Sequence, residues 1–250
     1  MKKIFSLMVA ASVVATTTFS HAGIIITEIV DGNRIASDGT AGSSPDPFLA
    51  FVELTNTGTT VEDLSGFSIL NFNNGNNTAG FSSAGLSGSL QPGETFYFAY
   101  ESAPDPAVPA EFSAFEAVYG FAPNQFAGGK FVNGDDTIIL FDTPYPGGDA
   151  AVDPASIADI YGVLGTDGSG EDWEYLDSSA IRNPSVSSTT ASGFNPLEWT
   201  FNPVNSLDGD GAAEHIAQTT VSPPFQTIPE PSSIALLGLV GLAGVVRRRK

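Results

Sequence analysis

The fold class follows from the stretch GIIITEIV, residues 23–30, and from the apolar segments that come after it along the chain. The β-branched residues of this stretch predict a buried strand that begins the folded domain. A second strand, FLAFVELTN, is predicted over residues 48–56 and ends in the turn Asn56-Thr57-Gly58. Residues 31–47 between them are polar and rich in Gly and Ser, which predicts a long loop.

Further short segments of the same kind continue up to residue 201. Residues 61–70 alternate apolar and polar side chains around a glycine, which predicts a bent strand. Residues 111–119, EFSAFEAVY, have an aromatic spacing that favours a helix. The other predicted strands are residues 95–100, 137–142, 157–163, 173–175 and 197–201. Many short strands separated by turns predict an all-β fold, a β-sandwich or barrel, with one short helical insertion.

The N-terminus has the parts of a secretory signal peptide. Two lysines supply positive charge, residues 5–15 are mostly apolar, and small residues lead up to Ala22. The alternative is a short membrane anchor, but the apolar run is too short for a comfortable span and ends in polar residues. We therefore expect residues 1–22 to be a signal helix that is cleaved between Ala22 and Gly23.

The C-terminus carries a second apolar segment. Thirteen apolar residues, 234–246, precede the chain end, and at about 1.5 Å per residue they reach roughly 20 Å, less than the roughly 30 Å hydrocarbon core of a membrane. Length alone would favour a buried core helix. The four consecutive cations Arg247, Arg248, Arg249 and Lys250 instead suit a cytoplasmic membrane face.

These cations are the last part of an ordered set: Pro229-Glu230-Pro231, an apolar helix predicted over residues 232–246, and the basic cluster 247–250. The order resembles the PEP-CTERM sorting signal of Gram-negative bacteria. In that family the helix holds the protein in the inner membrane until an exosortase cleaves near the Pro-Glu-Pro motif. The resemblance covers residues 228–250. It implies a transient inner-membrane anchor, an exosortase partner, and a final location at the cell surface or outside the cell.

Composition limits what the region between the two signals can do. Residues 23–227 number 205, and their 27 acidic residues against three basic ones, Arg34, Lys130 and Arg182, make a net charge of −24. Such a surface repels phosphate backbones, and three cations cannot supply the counterion release on which nucleic-acid affinity depends. We expect no nucleic-acid partner. The chain has no cysteine, so disulfides and thiolate metal sites are excluded.

Five sequence pieces occur in an order that resembles the lamin tail domain, an immunoglobulin-like β fold. They are residues 26–29 (ITEI), 51–56 (FVELTN), 62–69 (EDLSGFSI), 90–98 (LQPGETFYF) and 133–142 (NGDDTIILFD). The likeness spans residue 23 to about residue 211, and departs from the family pattern at the loop 31–47 and at the helical insertion. It implies an accessory module that binds or tethers and does not catalyse.

A narrower resemblance concerns the version of this domain found beside secreted bacterial nucleases. It rests on residues 159–175, DIYGVLGTDGSGEDWEY, followed by Arg182 and then by Leu197-Glu198-Trp199. Those nucleases rely on a separate catalytic domain with several histidines, and no stretch of this chain is left over to form one. After signal removal the only histidine is His215, and no Gly-x-Ser-x-Gly elbow occurs, which argues against a Ser-His-Asp hydrolase.

Paired carboxylates are a second catalytic candidate. Glu171, Asp172 and Glu174 lie beside Trp173 and Tyr175, and a glycoside hydrolase needs two carboxyl groups across a sugar-binding cleft. Residues two apart on a strand point the same way. The interpretation we favour therefore places both aromatic rings in the core and leaves the acids in solvent.

Calcium is the cofactor that the negative charge suggests, and its candidate ligands are weak. Asp167 and Asp172 lie on one glycine-rich loop, and Asp208 and Asp210 lie on another. Neither loop completes the ligand spacing of a calcium loop, and Asp-Gly pairs are ordinary turn formers. We predict no cofactor, with calcium as the open alternative.

In chain order, the prediction is a signal peptide (1–22), an immunoglobulin-like β-sandwich domain (23–211), a linker (212–227) and a sorting tail (228–250) with a transmembrane helix. The expected function is that of a non-catalytic exported surface protein that binds, adheres or supports structure. Its candidate partners are extracellular polysaccharide, since PEP-CTERM systems accompany exopolysaccharide production, and a separately encoded secreted enzyme. The alternative is a secreted hydrolase of glycans or nucleic acid with a carboxylate site.

Overall fold

The computed structural model describes residues 23–80, 84–100, 113–127, 132–144, 152–187 and 193–222. The expected signal peptide and the sorting tail with its predicted transmembrane helix lie outside the described residues. The strands are β1 (Ile24–Arg34), β2 (Phe48–Asn56), β3 (Glu62–Asp63), β4 (Ser68–Phe72), β5 (Ala84–Gly85), β6 (Ser89–Leu90), β7 (Thr95–Tyr100), β8 (Gln125–Ala127), β9 (Thr137–Phe141), β10 (Ile157–Tyr161), β11 (Ser178–Arg182) and β12 (Trp199–Phe201). The α-helices are α1 (Ala114–Tyr119) and α2 (Ala212–Gln218). Neither has the length and hydropathy needed to cross a membrane.

The strands form a sandwich of two main sheets. One sheet has the order β12-β11-β1-β2-β7-β8, the other has the order β10-β9-β4-β5, and β3 pairs with β6 at the side. Among the described strands every pairing is antiparallel except the one between β7 and β8. The architecture is the immunoglobulin-like β-sandwich expected from the sequence.

The inner faces of the two sheets share one apolar core. Ile26 and Val52 of the six-stranded sheet meet Ile138 and Leu140 of the four-stranded sheet, and all four side chains are buried. The β-branched residues on which the strand predictions rested form much of this core. They do so because alternate side chains of a strand point to the same face.

The outer face of the six-stranded sheet also carries apolar side chains, and these are buried because α1 and α2 cover them. Phe51 of β2 and Tyr97 of β7 pack there against Phe115 of α1. The rings of Phe51 and Phe115 meet edge to face with centroids 5.3 Å apart, a favourable aromatic geometry. The sandwich therefore has a third layer above one of its sheets.

Capping residues account for the ends of α1. The Ser113 side chain accepts a hydrogen bond from the Glu116 backbone N–H, and Gly120 ends the helix with a φ of 77°, a left-handed conformation that glycine adopts without strain. The structure confirms a helix within residues 111–119, and residues 111 and 112 lie outside the described part of the chain.

Several predicted strands end differently in the structure. Residues 61–70 split into β3, a 3₁₀ turn at Leu64–Gly66, and the beginning of β4. The strand predicted over residues 173–175 is wrong, because residues 171–177 form turns. The backbone N–H of Tyr175 donates to the Gly134 carbonyl, which ties these turns to the loop before β9 and not to a neighbouring strand.

Strand β11 was missed by the sequence analysis. Its sequence, SSAIR, has one β-branched residue and no apolar alternation, yet it pairs with β1 and with β12 in the six-stranded sheet. Hydrogen bonding to a strand on each side therefore stabilises β11 as a strand, although its own residues have a low strand propensity.

Residues 212–222, which were expected to belong to a linker, fold back onto the sandwich. Residues 212–218 form α2, and Val221 packs with the aromatic residues of the outer face. The sequence AAEHIAQ has little apolar periodicity, and His215 is the one residue of α2 that is buried. Packing on the sheet, and not local propensity, therefore accounts for this helix.

Candidate functional site

Buried charged side chains are the natural place to look for chemistry, and three groups of them stand out in the described structure. We call them the ion network (Asp159, Arg182 and Glu198), the aspartate cap (Asp136 with its asparagines) and the carboxyl pair (Glu28 and Glu53).

The ion network lies between the two sheets. The two terminal guanidinium nitrogens of Arg182 reach Asp159 Oδ2 and Glu198 Oε2, each at 2.5 Å. Asp159 Oδ2 also accepts the Ile26 backbone N–H at 2.8 Å, and the Arg182 guanidinium lies 5.4 Å from the Trp199 ring centroid. These side chains come from β10, β11 and the turn before β12, so the fold brings together three distant parts of the chain.

Burial raises the pKa of Asp159 to about 6, against the opposing effect of Arg182. Asp159 is therefore ionised at neutral pH, and its charge is matched by a cation. The strong donors of Arg182 are directed to protein acceptors, including the Ile26 carbonyl at 3.2 Å. The network can hold the sheets in register, but it leaves no group aimed at a substrate.

The aspartate cap closes one end of the sandwich. Asp136 is buried, and its Oδ2 accepts from the side-chain amides of Asn71 and Asn73 at 3.0 and 3.1 Å. Its Oδ1 accepts from the Asn74 backbone N–H at 3.0 Å. Burial raises the pKa of Asp136, and the asparagine donors oppose that shift. The carboxyl group thus organises the turn after β4 and has no contact that suggests catalysis.

The carboxyl pair lies on the outer face of the six-stranded sheet. Thr27 is the extra residue of a bulge in β1, and the resulting register sets Glu28 directly opposite Glu53 of β2. Glu28 is fully buried, and Glu53 is 5 % exposed. Among the described residues no cation pairs with either group.

Hydrogen bonds, and not cations, surround the carboxyl pair. Thr27 Oγ1 donates to Glu53 Oε1 at 2.5 Å. Thr220 donates to Glu28 through its backbone N–H, 3.1 Å from both oxygens, and through its Oγ1, 2.7 Å from Oε2. Burial first, and then the nearby Glu53, raises the pKa of Glu28 to about 8, and burial also raises the pKa of Glu53. Glu28 is therefore mostly protonated at neutral pH.

Comparison with known families decides the identity of this sandwich. The family model of the lamin tail domain matches residues 17–158, more than half of the chain. The chain belongs to the lamin tail domain family. The model of the PEP-CTERM protein-sorting motif matches residues 227–250. No curated protein and no solved structure matches the chain.

The two matches together make the chain an exported surface protein. The sorting motif implies recognition by an exosortase at the membrane and a membrane-associated C-terminal tail that leads to the cell surface. The match to the lamin tail domain ends before Asp159, so the ion network, β11 and β12 lie beyond it. The sorting residues Pro229, Glu230 and Pro231 lie outside the described structure.

Within the sandwich, but beyond the residues that the lamin tail model matches, the two aromatic residues considered for sugar stacking belong to the core. Trp173 is 4 % exposed and Tyr175 is fully buried. The Tyr161 hydroxyl donates to the Trp173 carbonyl at 2.6 Å, and its ring meets both aromatic neighbours edge to face. Glu171 and Asp172 are exposed, whereas Glu174 is half-buried and its Oε2 accepts the Gly170 backbone N–H at 2.9 Å. The favoured interpretation is therefore right for both rings and for two of the three acids.

His215 of α2 has a structural role. Its ring is buried, with Nδ1 2.7 Å from the Gly211 carbonyl and Nε2 accepting the Asn33 backbone N–H at 3.2 Å. Nδ1 must then carry the proton, so the ring is neutral, and burial lowers its pKa accordingly. Both nitrogens join α2 to β1, and neither is available as a general base.

The four calcium candidates do not come together as a metal site in the described part of the chain. Asp167 Oδ1 accepts the Ser169 backbone N–H at 2.9 Å, as in an ordinary turn, and Asp172 and Asp208 are exposed. No group of three or more Asp, Glu or His residues in the described structure could hold a metal ion. The absence of a cofactor stays a prediction, and calcium binding through Asp167, Asp172, Asp208 or Asp210 stays the open alternative.

The carboxyl pair and the aspartate cap were not found by the sequence analysis. Glu28 and Glu53 each look like an ordinary polar residue in a strand, and only the register of β1 against β2 makes them neighbours. The family resemblance includes Asp159, Arg182 and Glu198, but nothing in their spacing along the sequence indicates an ion network.

Proposed function

We propose that this chain is a non-catalytic surface module that acts as a binding, adhesive or structural component of the extracellular polysaccharide. The observation that carries the non-catalytic part is the placement of the groups able to do chemistry. Glu28, Asp136, Asp159 and His215 are buried and bonded to their own domain. The exposed acids, by contrast, lie apart from the aromatic rings.

The sorting tail supports the polysaccharide as the partner, because PEP-CTERM systems accompany exopolysaccharide production. The composition agrees with this assignment. A charge of −24 over residues 23–227 keeps the domain hydrated and repels nucleic acid. Turn-rich loops at the ends of a sandwich are where binding residues are usually presented.

The binding proposal can be tested with the full chain and with a chain that ends at residue 227, both expressed in a PEP-CTERM host. We expect the full chain to be recovered in the matrix fraction, to co-sediment with the purified exopolysaccharide and to lose residues 247–250, as read by mass spectrometry. The shortened chain should no longer be sorted to the matrix fraction in the host, but after purification it should still co-sediment with the exopolysaccharide, because it keeps the whole sandwich. Recovery of the full chain in free solution, with no co-sedimentation, would contradict the proposal.

The absence of catalysis needs a separate test. The purified chain should show no turnover of a panel of glycans and nucleic acids with or without divalent metals. If turnover is detected, a variant that carries Glu171→Gln, Asp172→Asn and Glu174→Gln identifies its source. Turnover that the triple variant abolishes would replace the binding module with a carboxylate hydrolase.

A further inference from the structure

The last described residues of the chain form a segment held against the outer face of the sheet. We call residues 219–222 the exit strap. Thr219 Oγ1 lies 3.0 Å from the Tyr119 hydroxyl, and Ser222 makes two hydrogen bonds with the Tyr97 hydroxyl, one through its N–H and one through its carbonyl, both at 3.1 Å. Thr220, between them, bonds to Glu28.

The exit strap lies where the carboxyl pair would otherwise meet water. Thr220 makes three contacts with Glu28, two through its N–H and one through its Oγ1. Val221 packs with the aromatic cluster beside the pair. Glu28 is fully buried under this cover although Thr220 itself is exposed. A displacement of the strap by a few ångströms would open the pair to solvent.

Other titratable groups packed around the pair do not compensate its charge. Tyr97 of β7 and Tyr119 of α1 lie beside it, and burial raises the pKa of both hydroxyl groups, so neither supplies a positive charge. His215 of α2 is neutral and is engaged with Asn33 and Gly211. Burial of the pair is therefore tolerated only while at least one of its two carboxyl groups is protonated. If both were ionised, two buried negative charges would lie side by side with no cation to offset them.

We propose that Glu28 and Glu53 form a proton-dependent clasp that holds the exit strap on the sheet and so controls how far the sorting tail extends from the domain. Six residues, 223–228, separate the end of the strap from Pro229. Release of its four residues would add about 13 Å to the distance that the sorting tail can reach from the domain, at roughly 3.3 Å per extended residue. The inference depends on the sorting-motif match and not on what the domain binds.

The direction of the pH effect follows from two opposing influences on Glu28. The donors of Thr220 favour the ionised carboxylate, whereas burial and Glu53 favour the neutral acid, and the pKa of about 8 shows that burial is the larger influence. Once the strap leaves, water reaches Glu28 and its pKa falls toward the ordinary value. Ionisation therefore favours the released state, and rising pH loosens the strap.

Hydrogen exchange on the full chain, purified from membranes in detergent, tests the clasp. After correction for the intrinsic pH dependence of exchange, protection of a peptide that covers residues 219–222 should fall by up to about tenfold per pH unit between about pH 5 and pH 8, as expected for one proton. Protection of a peptide from β2 should change less, which separates strap release from global unfolding.

Two substitutions make the result decisive. Glu28→Gln keeps the shape and stays neutral, so the pH dependence of strap protection should become much weaker, with only the contribution of Glu53 left. Glu53→Gln should reduce the pH dependence by less, because Glu28 still titrates. Glu214→Gln, at an exposed position of α2, is the matched control and should behave as the wild type. A strap whose protection is flat or rises with pH in the wild type would overturn the proposal. A pH dependence that is undiminished in Glu28→Gln would overturn it equally.

Discussion

The six-stranded sheet buries acidic side chains on both of its faces, and the two faces neutralise them differently. On the inner face Arg182 contacts Asp159 and Glu198, so charge is matched by charge. On the outer face Glu28 and Glu53 stand opposite each other with hydroxyl and backbone donors around them, and burial raises the pKa of both carboxyl groups. The same fold thus has one buried acidic site that is matched by a cation and one in which Glu28 is mostly protonated at pH 7.

This difference sets two windows of pH dependence. Both Asp159 and Glu28 have a pKa raised in the folded state, so each contributes stability at low pH that is lost as the pH rises through the folded pKa. For Asp159 the loss runs from about 3.8 to about 6 and is complete before neutrality. For Glu28 it runs from about 4.5 to about 8 and spans the neutral range. The domain should be most stable in mild acid.

The largest effect is expected from removal of the cation. Arg182→Met leaves Asp159 and Glu198 without their partner and should lower the free energy of unfolding by about 3–5 kcal/mol at pH 7, measured by urea denaturation. Arg34→Met is the control, because Arg34 is half-buried and stacks on Phe48 with no buried carboxylate, so about 1 kcal/mol is expected. Equal losses in the two variants would mean that the ion network has no special role.

The next effect belongs to the carboxyl pair. Between about pH 4.5 and pH 8 the wild type should lose up to about 1.4 kcal/mol of stability per pH unit through Glu28, and Glu28→Gln should abolish that slope. At pH 8 the variant should be the more stable protein by about 2–4 kcal/mol, whereas at pH 5 the two should be nearly equal. Unfolding curves across pH measure both quantities. A variant less stable than the wild type at pH 8 would show that Glu28 is needed as a carboxylate.

A smaller effect is expected from the exit strap. Thr220→Val removes the hydroxyl that donates to Glu28 and keeps the volume, so a loss of about 1–2 kcal/mol is expected at pH 6. Thr200→Val, at an exposed position of β12, should change stability by less than about 0.5 kcal/mol. The difference between the two threonines, read from thermal unfolding, measures how strongly the strap is held.

The smallest effects should come from acids that no part of the fold covers. Asp172→Asn should change the free energy of unfolding by less than about 0.5 kcal/mol, because Asp172 is exposed.

Added calcium should move the Tm of the wild type by less than about 1 °C. A larger rise that Asp172→Asn or Asp208→Asn abolishes would establish one of the calcium loops.

The sequence predicts a secondary-structure element correctly where its local residue pattern and its tertiary environment favour the same structure. Both β2 and β7 have the predicted bounds, since their apolar and β-branched residues suit a strand wherever it packs. Trp173 and Tyr175 were correctly placed in the core but in the wrong secondary structure. Hydrophobicity predicts that a ring is buried, and says little about whether the backbone carrying it is a strand or a turn.

The candidate sites were largely out of reach of such reasoning. Glu28 and Glu53 are 25 positions apart in sequence, and a one-residue bulge at Thr27 is what sets them face to face. Arg182 lies on a strand whose own sequence does not predict a strand. His215 was assigned to a linker, since α2 is short and forms only because it packs on the sheet.

By itself the sequence determined export, the sorting tail, the family and a β-sandwich without disulfides, because signal motifs, strand propensities and the lack of cysteine are local properties of the chain. Only the tertiary structure decided that Glu28 is mostly protonated at pH 7, that Asp159 and Glu198 are paired with a cation, and where residues 219–222 lie. These depend on register and burial, because the pKa of a carboxyl group is set by the water it loses and the charges it meets across the fold.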